Sequence, residues 1–238
     1  MDLTAQVRDV AQQHEMDYVG VAPVERLTQA PPGWRPGDIL PRAASVIVMG
    51  IRIGAGVRQM QARSRLESTP TAKLGIWVYQ VFGYNILNDK LNLAAYAVAK
   101  ALGGAGHMTA PTPASPPYDT KELVGIFSHR HAAVAAGLGE FGWNKMVLFP
   151  GAGPKVRMVS VITLAELEPS PMYEGPSLCD PVACGKACVK VCPTCALSDT
   201  AKARFSIGGK AFEHGEFDKR RCLSAPCGAC LMLCPVGG

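Results

Sequence analysis

All nine cysteines of this 238-residue chain fall between Cys179 and Cys234, and the first 178 residues contain none. No other feature limits the fold as strongly, because cysteine massed in one stretch has a local duty there. The start of the chain sets Leu3, Val7, Val10 and Ala11 on a helical stripe among Asp2, Arg8, Asp9 and Glu15. An export signal instead has a basic end and an apolar run. The expected compartment is therefore the reducing cytoplasm, where clustered cysteines bind metal rather than pair as disulfides.

The spacing sharpens this. Cys179-x4-Cys184-x3-Cys188-x3-Cys192-Pro193 is separated by 29 residues from Cys222-x4-Cys227-x2-Cys230-x3-Cys234-Pro235. Two runs of four, each closing in Cys-Pro, resemble a two-cluster bacterial ferredoxin with two [4Fe-4S] clusters, in which the fourth cysteine of each run ligates the other cluster. Three thiolates in one tight loop cover three irons of a cubane, the fourth arrives from across the module, and proline ends the loop without needing an amide hydrogen. The crossing assigns Cys179, Cys184, Cys188 and Cys234 to cluster one, and Cys192, Cys222, Cys227 and Cys230 to cluster two. Zinc ribbons are the alternative four-cysteine device, but they come as paired CxxC knuckles. The first run is wider than the usual spacing, so the loop around cluster one is expected to be distorted. Cys195 is left over and reads as a small buried apolar residue, with a spare ligand or redox thiol as the alternative.

Two such clusters make an electron wire, and a wire needs an acceptor. Length and a 48% hydrophobic content suit one domain with a core plus a small appendage. The upstream residues should therefore hold a cofactor, a substrate or both. The net charge of +5 is dispersed, unlike the massed basic runs of nucleic-acid binders. Arg42, Arg52, Lys90 and Lys100 break the apolar stretches before any reaches membrane-spanning length, so a soluble protein is expected.

Along the chain, residues 1–16 read as a helix, 17–22 as a strand, 30–37 as a loop and 45–53 as the best strand, rich in β-branched residues. Residues 58–71, with Arg58, Arg63 and Arg65, read as a mobile surface segment. Leu87, Leu91, Ala94, Ala95, Val98 and Leu102 share one helical face that Gly103-Gly104 ends. Residues 109–117 read as an extended connector, and Ser128 as the cap of a short helix, 129–136. Residues 155–164 read as a half-buried strand and 168–171 as a linker. The alternation suggests α/β or α+β.

At Ala136-Gly137-Leu138-Gly139-x-x-Gly142-Trp143-Asn144-Lys145, followed by Gly153-Pro154-Lys155-Val156-Arg157, the text resembles the block that precedes the clusters in epoxyqueuosine reductases and reductive dehalogenases. The similarity runs weakly from Asp17 and is strongest from Ser128 onward. It implies an α+β protein with a nitroreductase-like α/β domain over residues 1–170 and a two-cluster ferredoxin-type module over 171–238. It also implies electrons passing from a low-potential donor such as ferredoxin or flavodoxin, through the clusters, to a bound cobalamin that reduces a small organic substrate. A flavin in the same domain is the alternative cofactor. The helical-repeat region with which epoxyqueuosine reductases hold transfer RNA has no counterpart after Cys234. Their catalytic Asp has none either, since Leu123 to Phe127 are apolar or glycine, with only Asp119 and Glu122 nearby.

The resemblance implies site residues. Phe82-Gly83-Tyr84-Asn85 sits where epoxyqueuosine reductases carry an active-site stretch, making Tyr84 a candidate proton donor or corrin contact, against packing at a helix entrance. His129-Arg130-His131 opens a helix and combines amides, a guanidinium and imidazoles that favour an anion, ligate cobalt or relay protons; a surface cap is the plainer reading. Gly137, Gly139, Gly142, Asn144 and Lys145 are cofactor-binding candidates, or serve tight turns, and Glu140 reads as an exposed loop carboxylate. Two functions follow: a cobalamin-dependent reductase, including an epoxyqueuosine-reductase-like enzyme, or a non-catalytic electron-transfer or corrinoid-handling protein.

Overall fold

The computed structural model describes residues 2–224 and 228–238. Helix α1 (Leu3–Gln13) starts where the Asp2 carboxylate accepts the amides of Thr4 (2.8 Å) and Ala5 (3.3 Å), satisfying two of the donors that a helix start leaves free. Strand β1 (Tyr18–Pro23) leads through a one-turn α2 (Pro36–Ile39) to β2 (Ser45–Arg52). Helix α3 (Ala55–Leu66) and single turns α4 (Pro70–Lys73) and α5 (Gly75–Val78) follow. A π-helical stretch, Tyr79–Asn85, runs directly into the long α6 (Ile86–Gly104). Strand β3 (Thr109–Pro111), helix α7 (His129–Ala135), the two-residue strands β4 (Glu140–Phe141) and β5 (Val147–Leu148), and β6 (Val156–Thr163) complete this part.

The main sheet has the order β1-β2-β6-β3 and is antiparallel throughout, which decides for α+β among the expected classes. Val46, Val48 and Ile162 belong to one core with the alanines of α7. Ile47, Met49, Val159 and Val161 belong to a second core with Val7 and Ala11 of α1 and the Leu91, Ala94, Ala95, Val98 and Leu102 stripe of α6. Helices thus cover both faces, which is why β2 reads as an unbroken apolar run rather than an alternating one. The same cover buries most of β6, expected to be only half-buried.

Three further expectations change. Residues 58–66 belong to α3, whose Val57 and Ala62 pack with Tyr79 and Met232; the arginines that make the segment look like surface lie along a helix that touches the cysteine-rich end. Residues 168–171 are pinned rather than free: the Ser170 amide donates to the Val21 carbonyl (2.9 Å), the Val21 amide to Ser170 Oγ (3.0 Å), and Arg26 to the Ser170 carbonyl (2.7 Å). This covers the outer edge of β1. Ser128 precedes α7, but its hydroxyl lies 2.6 Å from His131 Nδ1 and makes no capping bond.

The cysteine-rich part contains α8 (Ala187–Lys190), a hairpin of β7 (Leu197–Ile207) and β8 (Lys210–Phe217), α9 (Lys219–Ser224) and α10 (Ala229–Met232). The hairpin fills the interval between the two cysteine runs and docks upstream. Phe205 meets Phe141 edge-on (centroids 4.9 Å, 90°) and His131 at 5.3 Å, while Ile207 joins the α7 core. Among the described residues no helix is long and apolar enough to cross a membrane.

Candidate metal centre

Cys179, Cys184 and Cys188 of the first run and Cys234 of the second line one cavity of about 380 Å³. The cysteines bend around it because Asp180 accepts the amides of Val182 (3.0 Å) and Ala183 (2.8 Å), turning the chain between Cys179 and Cys184, and the one-turn α8 carries Cys188. The opposite wall is the turn between β4 and β5: Gly142, Trp143 and Asn144 line the cavity with Leu148. Trp143 N–H donates to Cys179 Sγ (3.2 Å), and the indole N–H donates to the Ser198 carbonyl (3.0 Å). Lys186 lies 4.7 Å and Lys202 5.4 Å from the same ring's centroid, so the tryptophan ties hairpin, turn and cavity together.

Burial pushes the Cys179, Cys188 and Cys234 thiols up, Cys188 to about 11, and neighbouring cysteines add to the rise at each. Thiols raised in this way ionise together only where a cationic centre compensates them. Among the described residues no three His, Cys, Asp or Glu side chains gather tightly enough to hold a single metal ion.

Two upstream charges hold the ends of this set. Glu140 Oε1 accepts Ser177 Oγ–H (3.1 Å), the Leu178 amide and the Cys179 amide (3.1 Å). The Lys155 ammonium, only 3% exposed, donates to the carbonyls of Cys234 (3.0 Å), Val236 (3.0 Å) and Gly238 (3.3 Å). Burial lowers the Lys155 pKa, Cys234 opposes that and Arg58 adds to it. Neither residue stands out as a ligand-loop anchor in the sequence, because each acts on a segment far along the chain.

Of the second set, Cys192 follows α8, Cys222 lies on α9 and Cys230 on α10, while Cys227 lies outside the described residues. Cys192 Sγ accepts the Ala196 amide (3.3 Å); burial raises its pKa, but this bond and Thr194 leave it lowered overall. The turn that walls the first cavity also reaches this set, through Asn144 Nδ2 donating to the Cys230 carbonyl (3.0 Å). Cys195, expected buried, is exposed, and its backbone is left-handed (φ 49°).

The upstream candidates separate. Gly142 and Asn144 face the cysteines, whereas Gly137 backs onto Pro171 and Gly139 onto Leu148. Lys145 sits 5.3 Å over the Phe217 ring, its pKa lowered to about 8 by burial and then by Arg130 and Lys219. Arg130 donates to the Lys145 carbonyl (3.1 Å); burial lowers its pKa while Cys222 opposes the drop. His129 is held at both nitrogens, by Ser160 Oγ (2.9 Å) and the Pro113 carbonyl (2.9 Å), and burial first, with Arg157 and Arg130, lowers its pKa to about 4. His131 is also lowered to about 4, by burial and then Arg130, among Phe141 and Phe205. With their pKa values lowered to about 4, both imidazoles are neutral at pH 7. Tyr84 stands apart in the π-helical stretch: its hydroxyl bonds Ser115 Oγ, and the Arg157 guanidinium lies 4.4 Å over its ring. Val81 and Phe82 on the same stretch, and Tyr118 and Ile126 on the loop that Ser115 belongs to, are exposed.

No protein-family model matches the chain, and no curated protein matches it. Solved structures do. The catabolic reductive dehalogenase NpRdhA matches with a TM-score of 0.69 at 18% identity over 98% of this chain and 31% of its own. The chain has the fold of reductive dehalogenases and epoxyqueuosine reductases. A second reductive dehalogenase structure, described with a mechanism for B12-dependent dehalogenation, matches this reductase fold with a TM-score of 0.68 at 19% identity, over 96% of this chain and 31% of that one. An epoxyqueuosine reductase bound to a tRNA-Tyr stem loop matches at 0.63 and 19% identity, over 99% of this chain and 65% of its own. The chain thus spans about a third of the dehalogenases and under two thirds of the epoxyqueuosine reductase.

Proposed function

We propose that the chain is an iron-sulfur reductase that passes single electrons from a low-potential donor such as ferredoxin or flavodoxin through two [4Fe-4S] clusters to a cobalamin, and so reduces a small organic substrate. The observation that carries this reading is Cys234 lining the same cavity as Cys179, Cys184 and Cys188, the crossing that two-cluster ferredoxins use. The donor set fits the group: four thiols line one cavity, and the carboxylate beside them, Asp180, is turned to the amides of Val182 and Ala183. Cys192, Cys222, Cys227 and Cys230 form the second ligand set. On this reading residues 1–170 are a nitroreductase-like cofactor and substrate domain, and 171–238 a ferredoxin-type module.

Val81 and Phe82, on the stretch that carries Tyr84, and Tyr118 and Ile126, on the loop that carries Ser115, are exposed, and exposed apolar side chains suit one face of a corrin better than bulk water. A bound cobalamin supplies low-potential cobalt for reductive bond cleavage. The Tyr84 and Ser115 hydroxyls share a hydrogen bond, with the Arg157 guanidinium over the Tyr84 ring, and the Tyr84 hydroxyl is the proton source for a substrate carbon on this reading. In a dehalogenation the balance is two electrons and one proton in, a carbon–hydrogen bond formed and halide released.

Metal analysis and the visible spectrum of anaerobically purified protein, with and without added hydroxocobalamin, test this. About eight irons per chain and about one cobalt are expected. Eight irons with no cobalt uptake removes the corrinoid reading, and zinc without iron removes the clusters.

A further inference from the structure

The two charges at the ends of the first cysteine set come from the upstream domain, and they are opposite. Glu140, at the start of β4, gathers three donors from Ser177 to Cys179; Lys155, just before β6, gathers three carbonyls from Cys234 to Gly238. Both are rooted in short strands or turns next to the core: Phe141 and Val156, their chain neighbours, are buried in the α7 cluster. A carboxylate is the acceptor that suits converging amides and a hydroxyl, and an ammonium is the donor that suits converging carbonyls. An ammonium this enclosed pays a desolvation cost unless its three donors are all used, and here each has a carbonyl.

We infer that Glu140 and Lys155 are positioning residues for cluster one, fixing the first and last ligands, Cys179 and Cys234, at the separation a cubane requires. This rests on the iron-sulfur reading above. The sequence supplies the reason such help is needed. Cys179, Cys184 and Cys188 are more widely spaced than in a compact ferredoxin loop, so the ligand loop closes with more conformational freedom to lose. The upstream domain takes over that ordering. It follows that the cysteine module has a template for cluster one that is absent from its own residues. The second ligand set meets the upstream turn through Asn144, whose side-chain amide donates to the Cys230 carbonyl.

The test is iron content, with the electron paramagnetic resonance spectrum of the reduced full-length protein, for Lys155→Met, Glu140→Ala and Glu140→Gln. Lys155→Met and Glu140→Ala are expected to fall from about eight irons to about four, losing one cluster signal and keeping the other. Far-ultraviolet circular dichroism should stay that of the wild type. Glu140→Gln keeps a carbonyl oxygen for the same three donors and is expected to retain the full complement. Eight irons and two unchanged signals in both Lys155→Met and Glu140→Ala overturn the inference. So does loss of both clusters together from a folded chain, which would mean that the two residues serve the module as a whole. If the wild type itself carries no iron, the iron-sulfur reading has failed before the variants are compared.

Discussion

Replacing Gly153 by alanine tests how the Cys234 segment is seated. Gly153 has φ +60°, and a Cβ there would stand 2.0 Å from the Val236 carbonyl oxygen and 2.7 Å from its carbon. The backbone conformation alone costs an L-residue about 1–2 kcal/mol. The contact demands a shift of roughly 1 Å in a packed segment, and overpacking of this kind costs about 1–3 kcal/mol more. Gly151, in the same turn, provides the control: its φ is +72°, and a Cβ would meet nothing closer than Arg52 Nη2 at 3.6 Å. Gly151→Ala therefore carries the conformational cost without the collision. The difference between the two variants should be about 1–3 kcal/mol, or roughly 2–12 °C in melting temperature for a chain of this size. Val236 lies two residues beyond Cys234, so Gly153→Ala should also lose iron while Gly151→Ala keeps it. Anaerobic thermal melts and iron assays of the pair decide the matter. Equal melting temperatures and equal iron would refute the claim that the turn before β6 seats the Cys234 segment.

Two further outcomes follow from the upstream side chains. Tyr84→Phe removes only the hydroxyl that bonds Ser115 and leaves the ring under Arg157. Iron content should be unchanged, stability should fall by about 1 kcal/mol, and reductive turnover should drop at least tenfold; unchanged turnover would remove Tyr84 as the proton source. His129 stays neutral in the folded protein down to about pH 4, whereas in the unfolded chain it takes up a proton near pH 6.5. Its contribution, up to about 3 kcal/mol, is thus complete above pH 6.5 and is lost as pH falls toward 4. Chemical denaturation midpoints measured from pH 7 to pH 5 should fall less steeply for His129→Gln than for the wild type, and parallel curves would contradict this.

What the sequence makes legible is what acts locally. The apolar stripe of α6 and the β-branched run of β2 each report on residues a few positions apart, and each is found where expected. Helix α3 escapes because its inward side is barely apolar: Val57 and Ala62 are partly buried, its buried residue is the polar Gln61, and what the side packs against, Met232, is far along the chain. The β7–β8 hairpin did carry a signal, since Gly208-Gly209 between Ile207 and Lys210 is a turn pair of the kind that joins antiparallel strands. Glu140 reads as an exposed loop carboxylate because nothing within a few residues of it needs an acceptor; its partners begin at Ser177. The same distance hides Lys155, and it turns Gly142 and Asn144 from cofactor candidates of unspecified duty into the wall of the cysteine cavity.

The strand order sets a timetable. During synthesis β2 has β1 as a partner almost at once, but its other neighbour, β6, emerges about a hundred residues later. Through that interval one side of the most apolar strand in the chain is bare, an edge on which nascent chains stick to one another. Once β6 pairs, the exposure ends, and Glu140 and Lys155 have both been synthesised before Cys179 and well before Cys234. The chain is thus written in the order in which it must be built, template first and thiols last. An overexpressing cell short of iron should accordingly accumulate molecules with a finished sheet and an open cysteine end, a population distinguishable by its protease cleavage falling after residue 171.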